Sequence, residues 1–177
     1  TEAKLAARTG KVPNWYLDVS LLNRYWGSDR VYHHTAPVNM NFGMREALRL
    51  LAEEGLDRAW QRHRANAERF WSGLERLGLR LHVDEPLRLA TLTTVCIPEG
   101  VDGKAFARHL LDTQGIEIGG GLGALAGKVW RIGLMGWSSR AENILLCLGA
   151  LGSVLNDMGH AADTGTALSA AQTALGR

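Results

Sequence analysis

The chain has 177 residues, of which 46% are hydrophobic and 21% charged, and a formal net charge of +2. That balance suits a soluble globular chain of about one to one and a half domains and excludes collagen-like and disordered classes. No apolar run approaches the roughly 20 residues needed to span a bilayer, and the basic residues are scattered rather than clustered, so neither membrane nor nucleic acid is an expected partner.

The opening TEAKLAARTGKVP lacks the apolar stretch of a signal peptide and starts at Thr1, which leads us to expect a chain cut from something longer. Residues 1–42 carry Trp15, Tyr16, Tyr25, Trp26 and Tyr32 among polar side chains, with one short helical run, and read as loops of a larger domain. From Gly43 to Leu77 the apolar spacing turns helical, through Leu48, Leu51, Leu56, Trp60, Ala67, Trp71 and Leu74, giving one long helix or two that meet at Gly55.

After Gly78, LRLHV and then TLTTVCI alternate as strands do, with Asp84-Glu85-Pro86 between them. Asp102 is placed to cap a helix that Gly115 stops. IEI and KVWRIGLM read as further strands around a glycine-rich link, and Ser138 or Ser139 opens a last helix to about Leu155. This order predicts an α+β fold, a small mostly antiparallel sheet with helices on one face. Residues 156–177 hold few large apolar groups and are expected to form a disordered tail. The end of the chain, ALGR, is no peroxisomal address.

Three places could carry chemistry. Tyr32 and Thr35, in Tyr32-His33-His34-Thr35, offer two hydroxyls three residues apart that could face one phosphate group; equally, Tyr32 could pack against its domain with Thr35 in a turn. A metal at His33 and His34 is not expected, because neighbours in extended chain point to opposite faces and no third ligand is suitably spaced. Arg131 interrupts the apolar strand VWRIGL, so its guanidinium must meet a carboxylate ligand, water or a structural acid such as Glu117 or Asp112. The run from Gly119 to Ala124 happens to spell G-x-G-x-x-A, but too few residues separate it from the next strand for a dinucleotide-binding helix. Among Lys4, Lys11, Lys104 and Lys128, none lies in an apolar pattern suited to a Schiff base. Cys96 and Cys147 lack CxxC spacing, which suits a reducing, cytoplasmic compartment.

Taken in order, WYLDVSLLNRYWG, YHHTAPV, GMREALRLLAEEGLDRAWQRHRANAERFWSGLERLGL and IEIGGGLGALAGKVWRIGLMG resemble landmarks of the alanine-glyoxylate/serine-pyruvate aminotransferases, which are class V, fold-type I enzymes. The resemblance covers roughly residues 12–155. It implies pyridoxal 5'-phosphate as cofactor and a homodimer in which Tyr32 and Thr35 bind the cofactor phosphate across the interface. It further implies that Arg131 grips the substrate carboxylate, and that a small amino acid and a 2-oxo acid are the substrates. The Schiff-base lysine and the aspartate at the pyridinium nitrogen are expected upstream of Thr1, so that the isolated chain would be inactive.

On the same reading, residues 1–54 are the end of the large cofactor domain, 55–155 the small domain and 156–177 the tail. A cysteine desulfurase is a competing reading, but it would need a loop cysteine, and Cys96 and Cys147 fall in a predicted strand and helix. Phosphoserine aminotransferase is another class V alternative. Outside enzymes, the competing reading is a non-catalytic remnant or an α+β module that binds a carboxylate or a partner.

Overall fold

The structure is a computed structural model that describes residues 1–173. The chain divides into two compact units, Thr1–Glu53 and the part from Glu54 onward.

The first unit is more helical than its sequence suggests. It holds α1 (Glu2–Ala6), α2 (Val19–Trp26) and nearly all of α3 (Val38–Glu54). Asp18 starts α2, because its carboxylate accepts the Ser20 backbone N–H at 3.0 Å and so satisfies a donor that a helix start leaves free. Arg8 donates to both oxygens of the same carboxylate. No residue from 1 to 53 is buried. Large apolar side chains stand in the open along α3, among them Met40 at 74% exposure and Phe42 at 65%.

The second unit is built on α4 (Leu56–Arg76), which starts afresh after Gly55. Gly55 has φ of 83°, a backbone conformation that favours glycine, and this separates two helices where the sequence left one or two open. The buried stripe of α4 runs through Ala59, Ala67, Phe70, Trp71 and Leu74, at spacings of three and four within each turn or two. Leu56 and Trp60, which share the predicted helical pattern, are exposed.

β1 (Leu92–Cys96) pairs antiparallel with β3 (Val129–Gly133), and β3 with the two-residue β2 (Gly119–Gly120). The sheet order is β1-β3-β2. The expected strand LRLHV reduces to an extended segment that meets β1 through a bridge from Leu81 to Val95. Between β1 and β2 lies α5 (Gly103–Gln114), with the Asp102 carboxylate accepting the N–H groups of Lys104 and Ala105 and Gly115 closing it in the left-handed region. After β3, α6 (Ala141–Asp157) returns across the sheet.

Thr93, Val95, Trp130 and Ile132 point to one face, where Val95, Trp130 and Ile132 join Phe70, Leu74, Phe106, Leu148 and Leu151 in a single core and the Thr93 hydroxyl accepts from the Trp71 indole. Helices therefore cover one face of a small antiparallel sheet, which is the α+β arrangement read from the sequence.

Two local expectations fail. Neither Ser138 nor Ser139 caps α6, because the Ser139 hydroxyl and carbonyl are taken by the Asn66 amide, and the helix begins one turn-residue later after Arg140. The expected disordered tail from 156 is instead ordered over Thr164–Thr173, which form α7; residues 174–177 lie outside the described residues. Asp163 caps α7 by accepting the Thr166 N–H at 2.9 Å, and Ala167 and Ala171 are buried. Composition misleads here because alanine and glycine allow close approach: a Cβ on Gly152 of α6 would lie 2.3 Å from the Thr164 hydroxyl.

Candidate functional site

In the first unit, Tyr32 and Thr35 sit on the loop between α2 and α3, and their hydroxyls lie 2.9 Å apart. Tyr32 is 68% exposed within this chain. The two hydroxyls are hydrogen-bonded to each other, and a tetrahedral anion that replaces this bond would receive both as donors.

The loop is held by aromatic neighbours that the sequence offers only as a cluster of rings. His33 lies 4.5 Å from Trp15 between ring centres, His34 lies 5.1 Å from Tyr16 and 5.5 Å from Tyr25, and Tyr25 meets Tyr32 edge-on at 5.9 Å. The two histidines do not point apart as extended neighbours would. The chain bends, their Nδ1 atoms lie 2.8 Å apart, and His33 Nε2 lies 3.0 Å from the Trp15 carbonyl. A carbonyl only accepts, so a neutral His33 carries its proton on Nε2 and accepts at Nδ1 the hydrogen bond that His34 Nδ1–H donates. Among the described residues, no group of three or more histidine, cysteine, aspartate or glutamate side chains could hold a metal ion.

In the second unit, Arg131 stands on β3 on the sheet face away from the core, opposite Thr94 of β1 and Gly119 of β2. Its Nε donates to the Gly120 carbonyl at 2.8 Å. The structural ion pair that its sequence setting allowed is absent among the described residues, since Asp112 pairs with Arg108 at 2.7 Å and no acid meets Arg131. The two terminal nitrogens of the guanidinium remain as a planar fork, half-buried, and such a fork matches a carboxylate in two parallel hydrogen bonds. Thr94, Gly119 and the Gly120 carbonyl were not legible as site neighbours, because only strand register places them there. The glycine run opens no helix: it forms β2 and a 3-10 turn over Gly123–Leu125 before the chain returns in β3.

Of the remaining candidates, Cys96 is half-buried at the end of β1 with its Sγ 3.9 Å from His82 Nδ1. Cys147 packs against the core from α6, and burial pushes its thiol up to about 12. Neither lies in a loop. Among the described residues, no helix is long and apolar enough to cross a membrane.

Comparison with known proteins agrees with the pattern of landmarks. The chain is 46% identical over 156 residues to the alanine–glyoxylate aminotransferase of Callithrix jacchus, covering 86% of this chain and 38% of that protein. It is 42% identical over 173 residues to the (S)-ureidoglycine–glyoxylate transaminase of Bacillus subtilis, covering 97% of this chain and 42% of the relative. Among solved structures, an alanine–glyoxylate aminotransferase from Nostoc sp. superposes with a TM-score of 0.77 at 61% identity, covering 87% of this chain and 41% of that one. The chain thus spans about two fifths of the length of these relatives. The family model for class V aminotransferases matches residues 16–141, and the chain belongs to that family.

Proposed function

We propose that this chain supplies the phosphate-binding loop and the substrate-carboxylate arm of a pyridoxal-phosphate-dependent aminotransferase that moves an amino group from alanine or serine to glyoxylate or pyruvate. The observation that carries the reading is Arg131, an arginine on a sheet whose fork meets no acid among the described residues. The names of the relatives, which include alanine–glyoxylate and ureidoglycine–glyoxylate enzymes, support the substrate class.

The residues present fit the cofactor. Tyr32 and Thr35 present paired hydroxyls of the kind a phosphate accepts, at the mouth of a loop fixed by Trp15, Tyr16 and Tyr25. When bound, pyridoxal phosphate supplies the electron sink that stabilises negative charge at the amino acid's Cα. Tyr32 and Thr35 donate to its phosphate and fix its position. Arg131 binds the substrate carboxylate in two hydrogen bonds and so orients the Cα–H bond that reacts. None of Lys4, Lys11, Lys104 and Lys128 is given the Schiff-base role, and turnover requires that lysine.

The absence of any buried residue in 1–53, with Met40 and Phe42 uncovered, supports reading this unit as part of a larger cofactor domain, and the unit from Glu54 as the small domain. A homodimer in which Tyr32 and Thr35 serve the partner's phosphate belongs to the same proposal, as does a cytoplasmic location, which suits two free cysteines.

The test is ligand discrimination. Wild-type protein should bind pyridoxal phosphate more tightly than pyridoxal, and a Tyr32→Phe, Thr35→Val variant should lose about tenfold in affinity for the phosphate form alone. Equal loss for both ligands, or no loss, would refute the phosphate role.

A further inference from the structure

The glycines beside Arg131 differ in why they are glycine. Gly123 has φ of 54°, in the left-handed region, so the turn itself favours it. At Gly121 a Cβ would lie 2.0 Å from the Leu125 carbonyl oxygen, so the loop cannot close around a side chain. Gly119 meets neither demand. Its backbone is outside the left-handed region, and a Cβ there would make only ordinary contacts, the shortest at 3.4 Å. A strand position that any residue could occupy ordinarily carries a side chain, because glycine weakens strands.

The shortest of those contacts would be to Arg131 Nη2, one limb of the free fork. Gly119 and Arg131 are direct partners across β2 and β3, so a side chain at 119 would stand on the same sheet face as the guanidinium. The Gly120 carbonyl meanwhile holds Nε at 2.8 Å and keeps the fork from swinging away.

We propose that Gly119 is a specificity-determining position: its missing side chain leaves open the space over Arg131 Nη2 through which a ligand carboxylate reaches both limbs of the fork. This rests on the carboxylate role given to Arg131 above. Alanine at 119 would rest against one limb in ordinary contact and narrow the approach to it, and a branched residue would cover it. The backbone accepts both, since it lies outside the left-handed region, a Cβ there meets nothing closer than 3.4 Å, and valine favours extended chain.

The test uses the full chain, labelled with 15N, and sodium pyruvate as probe. Saturable shifts of the Arg131 Nε–H and of the Gly119 and Gly120 amides are expected in the wild type. Gly119→Val should weaken pyruvate binding at least about tenfold, the loss of one limb of a charged pair, while the remaining spectrum and the melting temperature hold. Gly119→Ala should fall between them. Wild-type affinity in Gly119→Val, with binding still lost in Arg131→Gln, would overturn the inference and leave the carboxylate role standing. Absence of Arg131 shifts in the wild type would overturn both.

Discussion

The buried Asn66 amide of α4 donates to the Ser139 carbonyl at 2.8 Å and reaches the Ser139 hydroxyl at 3.2 Å, joining this helix to the turn between β3 and α6. Arg62 donates to the same carbonyl at 2.8 Å, and the Gly136 N–H donates to His63 Nε2 at 3.2 Å. Three side chains within two turns of α4 thus satisfy the backbone just downstream of the strand that carries Arg131. Asn66 is 3% exposed, so its truncation leaves buried polar groups with fewer partners. Asn66→Ala should cost about 1–3 kcal/mol, read as a lower urea midpoint with an unchanged slope.

The order of α7 rests on small buried contacts. Ala167→Asp places a carboxylate against α4 and α6 and should cost on the order of 2 kcal/mol, with fast amide exchange from Thr164 to Thr173. Ser169→Asp, on the exposed side of the same helix, should leave both stability and exchange unchanged. Equal effects from the two would contradict a docked α7.

Acid should act partly through Asp102. The backbone N–H groups of Ala105 and Lys104 hold its carboxyl below its usual value of 3.8. A folded value below the unfolded one means stability that is present above about pH 4 and is lost as pH falls through the folded value. Asn also caps helices but does not titrate, so Asp102→Asn should match the wild type at neutral pH and lose less stability as pH falls below about 4. Glu54, held down chiefly by its hydrogen bond to Arg62, acts in the same direction and keeps the remaining acid dependence in that variant.

The two cysteines should react unequally. With its thiol pushed up to about 12 by burial, Cys147 stays almost wholly protonated at pH 8, and the thiolate is the nucleophile. Iodoacetamide should label Cys96 alone in the native protein and both after denaturation, and Cys96→Ser should abolish the native label.

Much of the second unit was legible because its signals are local. Asp102 and Gly115 bracket α5 where cap chemistry puts them, and Gly55 divides the long helical stretch. What escaped depends on partners distant in sequence. Ser139 looks like a cap until Asn66, 73 residues away, claims it. Residues 164–173 look too small to fold until the groove between α4 and α6 makes small side chains the right ones. At the candidate site, Arg131 stood out as an arginine inside an apolar strand, whereas Tyr32 and Thr35 offered only two hydroxyls in a loop and were singled out by the family resemblance. Gly119 and the Gly120 carbonyl did not, since nothing before the register of β2 and β3 brings them beside Arg131.

The most direct test of the account is the transamination of glyoxylate by alanine, measured in protein in which this chain is joined to a segment that supplies the Schiff-base lysine, with wild-type Arg131 and with Arg131→Lys. Lysine keeps the charge but not the planar fork. We predict that the KM for glyoxylate rises at least about tenfold while bound pyridoxal phosphate and the melting temperature stay as in the wild type. An unchanged KM, or a protein that transaminates no 2-oxo acid with Arg131 in place, would contradict it.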